Sequence, residues 1–120
     1  MLDWCHDDQP GWLRTRAGPL LAVPYPQELN DIPAIAVRRT AADTFADMIV
    51  DNFDEMLAQS GAQPLVMGIA LHAYIVGQPF RLRHLRRALR HIAQHREVAW
   101  LTTAGAIAAH VAALPEGTVR

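Results

Sequence analysis

The stretch that most constrains this chain is Pro64-Leu-Val-Met-Gly-Ile-Ala-Leu-His72. After the proline it stays apolar, without alternation, until the histidine. A strand with one wet face alternates polar and apolar residues. A continuous apolar run instead suits a strand covered on both faces, as in a parallel sheet flanked by helices. Gly77 and Pro79 follow, and they turn the chain into a new helical pattern.

The remaining segments extend this pattern. Residues 20–23, Leu-Leu-Ala-Val, make a short strand closed by Pro24 and Pro26, since proline cannot donate to a sheet ladder. A helix is predicted over 41–59, with Thr40 and Asp43 at N-cap and N3 spacing. Its buried stripe comprises Phe45, Met48, Ile49, Phe53, Met56 and Leu57, and its acidic face carries Asp47, Asp51, Asp54 and Glu55. A second helix spans about 81–96, with Leu82, Leu85, Leu89 and Ile92 inward. Residues 98–101, Val-Ala-Trp-Leu, make another strand, and Thr102 or Thr103 caps a last helix that ends before Pro115. Residues 1–19 read as loop, and 34–38 fit either an extended or a helical piece.

The expectation is one α/β domain over residues 1–120, with a loop-rich segment 1–19 and then βαβαβα over 20–120. Its three short parallel strands alternate with three helices. Three strands do not close a barrel, which typically needs ~250 residues. The chain therefore reads as a partial (β/α) barrel, completed by an upstream segment or by another copy in a homo-oligomer.

Composition removes several classes of function. The chain is 51% hydrophobic and 19% charged, a globular balance rather than a disordered one. A net charge of −1 gives no general attraction to nucleic acid or to an anionic membrane. No apolar run reaches the ~20 residues of a membrane span, and the N-terminus has no signal-peptide pattern. The single cysteine, Cys5, forms no internal disulfide and suits a reducing cytoplasmic setting.

Candidate chemistry centres on His72. Ligands in α/β sheets bind at the carboxyl ends of the strands, and imidazole is a general acid or base near neutral pH. A strand-end histidine bonded to a loop carbonyl is the plain alternative. Asp3, Asp7, Asp8 and His6 form an acidic group with no metal-ligand spacing, so solvated loop carboxylates explain them better. Neighbouring carboxylates raise a thiol's pKa and so discount Cys5 as a nucleophile. The second helix bears Arg81, Arg83, Arg86, Arg87, Arg90 and Arg96 with His84, His91 and His95. They run around most of its exposed circumference without interleaved aromatics, which favours a solvated or subunit-facing surface over a nucleic-acid track.

Three stretches carry a likeness to a known family: residues 3–10 (DWCHDDQP), 20–35 (LLAVPYPQELNDIPAI) and 45–89. They resemble the C-terminal part of the polysaccharide deacetylase (NodB-homology) superfamily, in its allantoinase-like branch. The resemblance implies a distorted (β/α) barrel that hydrolyses non-peptide C–N bonds in an acetylated sugar, an amide or a ureide. It implies that Asp3 and Trp4 match the family's fourth motif, the aspartate tuning the site's electrostatics and the tryptophan walling the groove. It further implies that Leu71-His72 matches the fifth motif, with His72 as the general acid and Leu71 beside the substrate. The family's first three motifs, which supply the catalytic aspartate, two metal-ligating histidines and an arginine, are expected upstream. On this reading no residue of the chain ligates a metal or holds a cofactor, and a divalent cation enters only if the missing half supplies its ligands. A hydrolase segment active once completed is one expectation, and a non-catalytic binding or assembly module on the same half-barrel is the other.

Overall fold

The structure is a computed structural model describing residues 2–4 and 6–119, with side chains described from His6 onward. Three strands, β1 (Leu2–Trp4), β2 (Gly11–Thr15) and β3 (Gly18–Pro24), form one sheet in the order β1-β3-β2. β1 pairs parallel with β3, with Leu2 opposite Ala22, whereas β2 pairs antiparallel with it, with Trp12 opposite Leu21. The helices are α1 (Ala42–Gln59), α2 (Ala73–Val76), α3 (Pro79–Ala93) and α4 (Ala104–Ala112), and a π-helical turn spans Ile32–Val37.

The α/β character holds, but the three parallel strands do not form. Of the expected strands only 20–23 is one, inside β3. Residues 64–71 run extended with a single parallel bridge, Asn30 to Ala70, and residues 98–101 pair with nothing among the described residues. A strand exists only where a neighbour takes its backbone groups. Here Ala70 N–H donates to the Leu29 carbonyl (2.9 Å) and Val66 N–H to the Asp8 carbonyl (2.8 Å), but among the described residues no continuous ladder borders the run. The run is accordingly half-buried, not covered on both faces.

The loop expected over 1–19 is instead half of a hairpin. Trp12 and Leu13 pack a strand against β3, and the reversal at Arg16-Ala17 closes through Gly18 at φ +114°. Glycine meets that angle without steric cost, and Thr15 Oγ1 donates to the Gly18 carbonyl at 2.6 Å.

α1 matches its expected limits to within a residue. Its cap differs, because Ala41 rather than Thr40 precedes it, with no side-chain cap bond. Asp43 lies in the first turn, and the Thr44 amide donating to its carboxylate at 2.8 Å holds the Asp43 carboxyl below its ordinary value. Phe45, Ile49 and Phe53 face inward as expected, while Met48, Met56 and Leu57 are half-buried. α3 begins earlier than expected, with Pro79 in its first turn, where a missing N–H costs nothing. Leu89 is exposed, and Ala88 takes the inward place beside Leu85 and Ile92. Thr103 caps α4 as one of the two expected residues, accepting from the Ala106 amide at 3.3 Å.

Two apolar clusters result. The larger joins the π-helical turn, α1, α2 and α3, and the smaller joins Leu21 and Val23 of β3 to Val111 of α4. The body measures 46 × 33 × 19 Å, the proportions of a slab.

Candidate functional site

Asp31 and His72 meet 41 residues apart in sequence. Each is placed by the chain around it. The Asn30 carboxamide oxygen accepts from the Ile32 amide at 3.1 Å, an Asx turn that opens the π-helical turn, and Pro33 lies in its first positions. Asp31 N–H donates to the Ala70 carbonyl at 3.2 Å, which fixes the carboxylate against the end of the 64–71 run. His72 sits in extended conformation, φ −118° and ψ 124°, immediately before α2. Gly77 ends α2, and a Cβ there would strike the Ala73 carbonyl, so this tight exit toward α3 needs glycine.

The Asp31 side chain is fully buried, and both oxygens are engaged by one residue. Oδ2 accepts from the His72 amide at 2.7 Å, and Oδ1 lies 2.7 Å from His72 Nδ1. A buried carboxylate is tolerated when hydrogen bonds replace its water, and these two do so. With Nδ1 committed to Asp31, Nε2 is the nitrogen left for chemistry, and the His72 side chain is 35% exposed. Tyr74 flanks the imidazole edge-on at 5.6 Å and is itself largely exposed. With both Asp31 oxygens accepting from His72, the pair is suited to holding and handing over a proton.

The described structure thus puts His72 where the sequence points, at the carboxyl end of the apolar run, with Leu71 exposed beside it. Trp4 and Asp3 lie in β1, and their side chains fall outside the described residues, as does Cys5. His6, Asp7 and Asp8 are exposed on a turn. The aspartate that touches His72 is Asp31, which the sequence reading leaves inside a loop. The available signal was an Asn-Asp-Ile-Pro stretch after a strand, but nothing in one sequence pairs positions 31 and 72.

A second group lies elsewhere. Asp54 on α1 and His91 near the end of α3 make a 2.6 Å contact, and His95 stands one turn further on. The sequence reading took both histidines as part of a solvated basic face. It counts no His-x-x-x-His pair in the chain, yet residues 91 and 95 are one, a spacing that brings two imidazoles to one side of a helical turn. Arg87 on the same helix reaches Asp47 on the acidic face of α1 at 2.6 Å. An open recess of about 450 Å³ lies between the starts of α1 and α3, bordered by Arg39, Arg81 and His84 and not by His72.

An α/β segment that presents a carboxylate-held imidazole at the junction of an extended run and a helix is built like one part of an α/β enzyme wall. In sequence and in fold it matches part of the polysaccharide deacetylase and allantoinase group. It is 35% identical over 118 residues to the Schizosaccharomyces pombe protein named "Putative polysaccharide deacetylase", covering 88% of this chain and 36% of that protein. The crystal structure of Puue allantoinase superposes with a TM-score of 0.83 at 31% identity, over 91% of this chain and 37% of that one. The probable polysaccharide deacetylase from Pseudomonas aeruginosa PAO1 gives 0.80 at 27% identity, over the same 91% and 37%. No family model matches the chain. The chain spans little more than a third of the length of the relatives it matches.

Proposed function

We propose that this segment supplies the general acid of a hydrolase acting on non-peptide carbon–nitrogen bonds, with a ureide or an acetylated sugar as the substrate class. The observation that carries the reading is the Asp31–His72 contact at 2.7 Å. Expelling an amine from a tetrahedral intermediate requires a proton at the departing nitrogen. Asp31 accepts the Nδ1 proton and balances the charge of the protonated ring, which leaves Nε2–H as the donor. As the C–N bond breaks, that proton passes to the leaving nitrogen and neutral His72 remains, still aligned by Asp31. The base that activates water belongs to residues outside this chain, as does any metal the reaction employs.

The extended but unladdered 64–71 run supports completion of the wall by an upstream segment or a second copy. The exposed Val98, Trp100 and Leu101 support it too. In the completed enzyme, His72→Ala is expected to lower turnover of allantoin or an acetylated sugar by at least about 100-fold, the usual share of general acid catalysis. Asp31→Asn, which keeps one side-chain acceptor, should lower it less. Full turnover by His72→Ala would remove the residue from the chemistry. In the chain alone, imidazole ¹⁵N spectra should show a proton on His72 Nδ1 that Asp31→Asn perturbs.

A further inference from the structure

The Asp54, His91 and His95 side chains bring one ligand atom each to within 4.8 Å of one another. His91 lies in the last turn of α3, and His95 stands in the turn that follows it, its amide donating to the Ile92 carbonyl at 3.0 Å. Asp54 comes from the neighbouring α1, its Oδ1 2.6 Å from His91 Nε2. Phe53, buried beneath them, holds both rings, at 6.0 Å edge-on to His91 and 5.4 Å to His95. The two imidazoles are 5.3 Å apart, a separation at which one ion can bridge them after small side-chain rotations.

We propose that these three residues form a binding site for a borderline divalent transition-metal ion of the zinc or nickel kind. Two imidazole nitrogens and one carboxylate oxygen are the donor set such ions favour over calcium or magnesium. Three protein ligands leave a position open to water. An ordinary interhelical ion pair accounts for Asp54 with His91, but not for His95. Its ring meets no hydrogen-bonding side chain among the described residues, yet it is held on the same aromatic floor. On binding, the proton between His91 and Asp54 moves to Nδ1 or to solvent, which frees the Nε2 lone pair for the ion.

The site is separate from His72. α1 and α3 run side by side in one direction: Arg87 meets Asp47, and His91, one turn further along α3, meets Asp54, two turns further along α1. His72 precedes α3, whereas His91 lies twelve residues beyond its first residue, roughly 18 Å along the axis at 1.5 Å per residue. The ion would clasp α1 to α3 at the far end of their seam.

The experiment is calorimetric titration of the 120-residue chain with zinc chloride, repeated on His91→Ala, His95→Ala, Asp54→Asn and His72→Ala, with circular dichroism on each. One equivalent should bind to the wild type and to His72→Ala. Affinity should fall at least about tenfold in each of the two other histidine variants, since even outer-shell partners are worth that much. Cobalt in the wild-type site should give the visible bands of four-coordination. If His91→Ala loses its helical signal, His95→Ala decides the matter, because His95 makes no side-chain hydrogen bond to lose. No uptake by the wild type overturns the proposal, as does unchanged uptake in both variants or loss in His72→Ala alone.

Discussion

Asp31 shows how much one buried carboxylate can organise. It donates its amide to Ala70, begins the π-helical turn and takes both hydrogen bonds of His72, so three chain segments converge on it. Asp31→Ala would strand the His72 amide and imidazole donors, and the expected loss is about 1–3 kcal/mol in a denaturant melt. Asp31→Asn keeps one acceptor and should lose less. Equal stability of Asp31→Ala and wild type would mean that the pair is not formed in solution. Half of this dyad was legible in the sequence. His72 announces itself by ending an apolar run, which is a local signal. Asp31 does not, because its role depends on a contact 41 residues away.

At the scale of elements, legibility followed the same division. α1, α3 and α4 carry their signals along their own residues: periodic apolar stripes, Pro79 at a first turn and Thr103 as a cap. Those patterns are written in the sequence. The 64–71 and 98–101 runs carry strand composition but not strand structure, because a ladder needs a neighbour that sequence composition cannot supply. β2 was hidden for the opposite reason: Pro10, Gly11 and Gly18 read as loop punctuation, while the pairing with β3 made the segment a strand. The seam between α1 and α3 holds the larger core, with Ile49 completely buried in it. Ile49→Ala should cost about 2–5 kcal/mol, a transfer term plus an unfilled cavity. A midpoint within experimental error of wild type would show that this seam does not govern stability.

For the whole molecule, the radius of gyration of 15.6 Å exceeds the roughly 13.6 Å expected of a compact 120-residue domain. The excess fits a slab with two unequal cores. Among the described residues the β3–α4 cluster buries Leu21, Val23 and Val111, against twelve residues in the α1–α3 cluster. Local stability tracks buried apolar contact, so amides of α4 should exchange hydrogen well before those of central α1 and α3. Uniform protection across both would indicate a single cooperative unit.

The π-helical turn between Asp31 and α1 sets the phase of the molecule. A π turn holds one residue more than the α-helical spacing uses, with the Arg38 amide reaching back to the Pro33 carbonyl at 3.0 Å. Arg39, in left-handed conformation at φ 58°, and the extended Ala41 then separate this turn from α1. Deleting one residue from Ala34–Val37 would draw either Asp31 away from His72 or Ala34 and Ile35 out of the core. The length of this one turn thus ties the aim of the imidazole to the burial of Ala34 and Ile35.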